Sequence, residues 1–303
     1  MASNLDVISI GSAVVDVILK SSQFRPHTLD GELMLCEVYG GKADVEEAIL
    51  TSGGAGTNTA VAFARQGLKS GVIAEVGQDI LAQIVFDEIE KEHVNTDFFV
   101  EEVDEKTGVS AVLVASDGSR SALTFRGAAK MLNPSDIPFE RIKNIPWIHL
   151  SSIGNTELIR QIFLFCRENS IKLSWNPSKA EVTDIVKNTV GDFSQCCQVV
   201  FLNEIEYAAI EEKSNFLKDL SSILVITRGK KGGEVYTQGK KIEYSGMEVP
   251  VVCELGAGDA FASGFVGALI KNKPIETAIE WGLQNGAGVV QHMSAKKGLL
   301  SFS

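Results

Sequence analysis

Apolar and polar positions alternate in blocks along this chain, and the blocks predict a succession of strands and helices. Short runs rich in Val, Ile and Leu (LDVISI at 5–10, then PWIHLSS, IKLSWNP, QVVFLN and ILVITRG) have the length of buried strands. SGVIAEVG at 70–77 predicts another strand, and DILAQIVFDEIEKE at 79–92 an amphipathic helix. Strand and helix repeated with short loops imply an α/β fold, a mainly parallel sheet covered by helices on both faces. Ligands bind such sheets at the C-terminal strand ends, which puts Asn176, Asn203, Thr227 and the turn at Gly256 along one edge.

Some runs do not fit that succession. SAVVDVIL after Gly11 and ELMLCEVY at 32–39 read as early strands. Residues 107–115 and 121–126 flank a Ser-Asp-Gly-Ser turn and read as a hairpin. These form a second, smaller sheet. The expected division is a core of 1–11, 51–96 and 127–303, with 12–50 and 97–126 making the smaller unit. No internal repeat or low-complexity linker interrupts it.

Composition narrows the function. The 303 residues are 45% hydrophobic and 22% charged, as in an ordinary globular protein. A net charge of −11 argues against nucleic acid or an anionic membrane as partner. Any anionic substrate must then be held by local donors. The opening MASNLDVISIGS has no secretory pattern, and no apolar run approaches the roughly 20 residues of a membrane span, so the expected location is cytoplasmic. Five scattered cysteines without CxxC spacing read as reduced, buried thiols, and four dispersed histidines disfavour a histidine-ligated metal.

The richest stretch is GAGDAFASGF at 256–265. Gly256, Ala257 and Gly258 let backbone N–H groups converge, and the following helix adds the positive end of its dipole: an anion hole. Asp259 at its mouth reads either as a helix cap or as a general base toward a hydroxyl attacking a bound phosphate. In SGGAGTNTAVAFARQG at 52–67, Gly53 and Gly54 offer a hinge, and Asn58 a donor and acceptor for a ligand or a polar helix start. This is neither a dinucleotide fingerprint nor a Walker A loop. Asp16, an acid within an apolar strand, either binds something or faces solvent. Asn203, Glu204 and Glu206 suit a water-mediated Mg²⁺ site, although taken alone they read better as acids complementing the dipole at a helix start. Thr227 to Gly233 (TRGKKGG) suits a nucleotide phosphate tail or a hairpin turn. Lys42, Lys179 and Arg126 are further anion-contact candidates.

Six segments in this order (GSAVVD, GGAGTN, GQD, NEIE, TRGKKG and GAGDAFASGF) resemble the ribokinase-like (PfkB) carbohydrate kinases over nearly the whole chain. The resemblance implies a doubly wound α/β domain with a small β-sheet lid, ATP and Mg²⁺ as cofactors, and a small sugar or sugar-like acceptor. It makes Asp259 the catalytic base, Gly256, Ala257 and Gly258 the anion hole, and Gly53 and Gly54 the lid hinge. Asp16 and Asn58 become substrate contacts, and Asn203, Thr227, Gly229 and Asn285 nucleotide contacts, with Glu206 organising the metal. Lid-mediated homodimers are common in the family. Two departures stand out. Cys253-Glu254-Leu255 replaces a segment whose Asp often holds a monovalent cation, so K⁺ activation stays open. Ala55 replaces the Lys of ribokinases proper, which counts against ribose. The expected function is an ATP-dependent sugar kinase. A nucleoside kinase and a catalytically silent sugar- or nucleotide-binding regulator are the alternatives.

Overall fold

The computed structural model describes residues 4–35, 39–188, 197–211 and 223–302. Its main sheet has eight strands, in the order Lys240–Tyr244, Gly233–Thr237, Ile223–Thr227, Val199–Asn203, Lys172–Asn176, Trp147–Ser151, Val7–Ile10, Ser70–Ile73. The six from Ile223–Thr227 onward are parallel, and the first two add an antiparallel edge. Period-two alternation divides the core between the two faces. Ile8 and Ile10, registered with Ile148 and Leu150, pack with Leu158, Ile162 and Phe163 on one face. Val7, Trp147, Val199 and Val225 pack on the other with Phe261 and Phe265 of the helix Ala257–Ile270. The chain leaves Val7–Ile10 toward one edge and Trp147–Ser151 toward the other. A crevice therefore opens beyond the C-terminal ends of these two neighbours.

A separate four-stranded sheet has the order Arg120–Phe125, Gly108–Val114, Val14–Lys20, Glu47–Gly53. It contains the expected hairpin and the strand bearing Asp16. Its strands lie within 14–53 and 108–125, where the expected smaller unit was 12–50 and 97–126. Glu47–Gly53 pairs along the whole of Val14–Lys20, but only Ser52 and Gly53 are buried. It therefore carries no alternation that would mark it as a strand. Residues 97–107 belong with the core: Phe98 joins the main apolar cluster, and Val100–Glu102 pairs with Glu75–Gly77. The run 70–77 is accordingly two strands, Ser70–Ile73 in the main sheet and Glu75–Gly77 in that short pair. Within 32–39, the strand is Glu32–Leu35, paired with Pro26–Leu29 away from the larger sheets, and 36–38 lie outside the described residues.

Among the described residues no helix is long and apolar enough to cross a membrane. Cys166, Cys197 and Cys253 are buried; the expectation for Cys36 and Cys196 falls outside the described residues.

Candidate active site

A cavity of about 430 Å³ fills the crevice between the main sheet and the smaller one. Ser12 and Ser152, just beyond the two diverging central strands, form part of its floor, and Val112, Ala122 and Thr124 of the small sheet cover it. Asp16, Gly54, Asn58 and the whole turn Gly256–Asp259 line it together, although 243 residues of sequence separate their extremes.

The turn works as its composition suggests. Gly256 is in the left-handed region (φ 74°), and a Cβ there would lie 2.5 Å from Ala295 Cβ. It starts the helix Ala257–Ile270, where Ala257 N reaches Glu254 O only at 3.5 Å and the N–H groups of Gly258 and Asp259 precede the helical bond from Ala260 N to Gly256 O. Nothing stands within 4 Å of a Cβ built on Gly258, so the approach to those amides is open. Asp259 is the third residue of the helix, not its cap. Its Oδ2 accepts a hydrogen bond of 3.0 Å from Asn58 Nδ2. Burial raises the Asp259 pKa above the ordinary carboxylate value, opposed by the Asn58 hydrogen bond and by the positive charges of Lys296 and Arg120. Asn58 is buried, and its Oδ1 has no partner, an acceptor left for a ligand.

Asp16 is also buried, 4% exposed, which excludes a solvent-facing strand position. Desolvation pushes its pKa up to about 6 against the lowering influence of Lys296, Ser110 and Arg120. Gly53 lies directly against this carboxylate: a Cβ there would be 2.0 Å from Asp16 Oδ2. Gly54 has φ 94° and would bring a Cβ to 2.4 Å from Ser12 O. The glycine pair is thus demanded by close packing where the small sheet joins the core.

A second cavity of about 500 Å³ opens on the other side of the turn. Glu254, Ala257 and Gly258 line both cavities, so the helix N-terminus stands between them. Thr227, Gly229 and Lys230 line the second, and its apolar wall includes Val251, Phe261 and Leu283. The segment after Thr227 is both things expected of it, a Gly-rich loop beside a cavity and the turn into the antiparallel strand Gly233–Thr237. Arg228 is taken up by Glu234 at 2.8 Å, and Lys231 lies 3.8 Å from Glu204, while Lys230 forms no ion pair among the described residues. Tyr244 also lines this cavity, stacked on Phe261 at 5.7 Å, with its buried hydroxyl unpartnered.

Asn203, Glu206, Asn285, Lys42 and Lys179 are not among the residues that line these two cavities. Asn203 and Glu206 form a reciprocal cap, Asn203 N donating to Glu206 Oε2 at 2.8 Å and Glu206 N to Asn203 Oδ1 at 2.9 Å. Neither lines either of these two cavities. Asn285 is fully buried; its amide donates to Ala260 O at 3.0 Å and accepts from Leu300 N at 2.7 Å. These two bonds tie it to two backbone segments, and Gly286, Ala287 and Val290 of the same helix line the second cavity. Lys42 and Lys179 line neither cavity, whereas Arg126 lines the first. Asp79 of the GQD segment caps the helix Ile80–Lys91 and bonds Thr107.

Two cations at the site were not picked out from the sequence. Arg120 lines the first cavity from the small sheet. Lys296 is 6% exposed; its Nζ donates to Ser52 Oγ at 2.9 Å and to Ser52 O, one residue before the glycine pair. Ser52 in turn donates through N and Oγ to Glu88 Oε2, at 2.9 and 2.8 Å. Burial lowers the Lys296 pKa to about 8. In sequence Lys296 is one of two adjacent lysines near the end of the chain, with nothing to mark it as buried.

Comparison with known proteins agrees with this geometry. An ATP-dependent ribose-1-phosphate kinase of Halopiger xanaduensis is 27% identical over 250 residues, covering 82% of this chain and 83% of that protein. A deoxyribokinase of Salmonella typhi is 26% identical over 292 residues, covering 91% and 89%. The fold is that of a Burkholderia thailandensis nucleoside kinase solved with inosine, at a TM-score of 0.81 and 16% identity over 97% of this chain and 94% of that one. The model of the pfkB family carbohydrate kinases matches residues 4–301, and the chain belongs to that family.

Proposed function

We propose that this protein is an ATP-dependent kinase, with the acceptor in the first cavity, the nucleotide in the second, and phosphoryl transfer across the Gly256–Asp259 turn. The observation that carries the reading is that the two cavities share Glu254, Ala257 and Gly258, with Asp259 on the acceptor side. The relatives act on ribose 1-phosphate, deoxyribose and nucleosides by name, and a small hydroxylated acceptor suits a cavity of about 430 Å³. Among the described residues no Phe, Tyr or Trp lines that cavity, so they offer no ring on which a nucleobase would stack. This favours a sugar over a nucleoside.

In this reading Asp16 accepts from substrate hydroxyls, and the free Oδ1 of Asn58 takes another. Asp259 removes the proton of the attacking hydroxyl, while the first-turn amides of its helix offset charge building on the transferred group. Residues of the small sheet cover the acceptor and keep water from competing for the phosphoryl group. Mg²⁺ suits a donor set of one or two carboxylate oxygens completed by water and phosphate. Among the described residues no cluster of three His, Cys, Asp or Glu forms a cage, but Glu206 keeps one carboxylate oxygen outside its cap. Glu206 would hold the ion through water, and the ion would neutralise phosphate charge. At 253, where relatives often carry an acid for a monovalent cation, the thiol is buried among Ile18, Val112, Val114 and Met293. That is a poor ligand for K⁺, and no step depends on it. Dimerisation through the lid has surface available in exposed Leu50, Leu123 and Phe125, and light scattering tests it.

ATP consumption with Mg²⁺ over a panel of sugars, sugar phosphates, sugar acids and nucleosides, with Asp259→Asn alongside, tests the kinase reading. A general base contributes about two orders of magnitude or more. Wild-type turnover on one acceptor class that falls by that factor in the variant supports the reading. Turnover unaffected by the substitution refutes the assignment of Asp259, and silence of the wild type over the panel favours a binding protein.

A further inference from the structure

The strand that carries Asp16, Val14–Lys20, lies in the small sheet between Gly108–Val114 and Glu47–Gly53. At its base Val14 is registered with Gly108 on one side and Gly53 on the other. One helix of the core, Ile80–Lys91, holds both neighbours there through carboxylates. Asp79, its cap, accepts from Thr107 N at 2.9 Å and from Thr107 Oγ1 at 2.8 Å, one residue before Gly108. Glu88 accepts at a single oxygen, Oε2, from Thr51 Oγ1 at 2.9 Å, Ser52 N at 2.9 Å and Ser52 Oγ at 2.8 Å. Glu88 lies within the helix rather than at its cap, so these three bonds serve the strand.

A cation closes on Ser52 as well. Lys296 Nζ donates to Ser52 O and Oγ, so a serine 1% exposed spends its N, O and Oγ on two opposite charges. Burial lowers the Lys296 pKa, and the charge of Glu88, followed by that of Asp16, opposes it. Charges taken out of water repay their desolvation poorly, so stability alone does not call for this pair. What the pair supplies is placement. Thr51 is the cross-strand partner of Asp16. Ser52 is registered with Val15, which packs with Val85 and Ile89 of the same helix. The next residue, Gly53, lies directly against the Asp16 carboxylate. A shift of Thr51 and Ser52 would therefore move the backbone on which Asp16 rests.

We infer that Glu88 is a positioning residue of the acceptor site: it fixes Thr51 and Ser52, with Lys296 as counter-ion, and through them holds Asp16 in the first cavity. Glu88 itself lines neither of the two cavities. The inference rests on the kinase reading, in which Asp16 takes hydroxyls of the acceptor, and adds to it a residue that touches neither substrate.

Steady-state kinetics on the full-length protein test it, on whichever of ribose, deoxyribose, ribose 1-phosphate, gluconate and inosine turns over best. Glu88→Ala should raise the KM for that acceptor at least about tenfold, the usual worth of hydrogen bonds to a charged group. The KM for ATP should change by less than about twofold. Glu88→Gln keeps an oxygen for Ser52 and loses the charge, and it should recover part of the loss. In an Asp16→Asn background Glu88→Ala should add less than about twofold, because the group it positions is already gone. Losses that multiply in the double variant, or KM values for acceptor and ATP that rise together, overturn the inference and leave the kinase standing. A lower Tm with unchanged kinetics overturns it too. Where Glu88→Ala fails to fold, Ser52→Ala carries the same test, since it removes the Oγ bonds to both charges and keeps those of the backbone. If none of the five acceptors turns over, the kinase reading fails instead. Calorimetry with ribose 1-phosphate then decides for Glu88: binding weakened in Glu88→Ala, with no further weakening when Glu88→Ala is added to Asp16→Asn, upholds its role, and equal or absent binding removes it.

Discussion

Asn58 donates to the Asp259 carboxylate across 3.0 Å, joining the starts of two helices 201 residues apart in sequence. The bond favours the ionised form and so opposes the upward push of burial on the Asp259 pKa. Asn58→Ala should therefore raise the Asp259 pKa further and cut kcat/KM at neutral pH about ten- to a hundredfold, the range for a hydrogen bond to a charge. Part of the loss should return as pH rises, because more Asp259 ionises. A variant whose loss is the same from pH 6 to 9 would show that Asn58 acts on the substrate alone.

The glycine pair separates a binding defect from a folding defect. In Gly53→Ala the new methyl would fall 2.0 Å from Asp16 Oδ2, so the carboxylate has to move. The expected result is a higher KM for the acceptor, with the KM for ATP and the Tm little changed. In Gly54→Ala the methyl meets backbone, Ser12 O at 2.4 Å, at φ 94°. That strain should lower the Tm as well. Equal Tm losses in the two variants would mean that Gly53 is packed against more than the Asp16 side chain.

The legible parts of the site are those where local chemistry dictates residue type. The Gly256–Asp259 turn needs a left-handed glycine and small residues, and Gly53 and Gly54 need to lack side chains, so both are visible in sequence. The strand ends Asn203 and Thr227 follow from apolar runs that stop. What could not be read depends on long-range contact. Lys296 reaches Ser52 across 244 residues, and the bonds of Asn285 to Ala260 and Leu300 join segments that no local pattern pairs. Glu47–Gly53 has too little burial to print a pattern, and its partner is fixed only once the small sheet forms.

Lys296 is the buried cation nearest this junction, and it pulls on both site carboxylates: it lowers the pKa of Asp16 and of Asp259. Its own pKa is held down to about 8, so the ammonium is charged at pH 7 and neutral above about pH 9. Lys296→Met should raise both carboxylate pKa values, shifting the acid limb of the kcat/KM profile upward, and should lower the Tm by leaving Ser52 O without its donor. Wild-type activity should also decline on the alkaline side of about pH 8, with that decline absent in the variant. An unchanged pH profile with only a lower Tm would make Lys296 a packing residue.

Glu75 offers a test of stability remote from catalysis. It is 1% exposed, and neither carboxylate oxygen has a hydrogen-bond partner of ordinary geometry. Burial, followed by the neighbouring Glu102 and Asp136, pushes its pKa from 4.5 up to about 8. The folded protein thus keeps a proton that the unfolded chain releases near pH 4.5. The stability linked to this group is complete below pH 4.5 and is lost progressively as pH rises to about 8, beyond which the loss is constant. Glu75→Gln mimics the protonated form and cannot ionise. Its Tm relative to wild type should rise across the interval from pH 5 to 8 and then level off. A difference in Tm that does not vary with pH in that interval would show that Glu75 is already ionised in the folded protein, with its charge met by solvent or a cation.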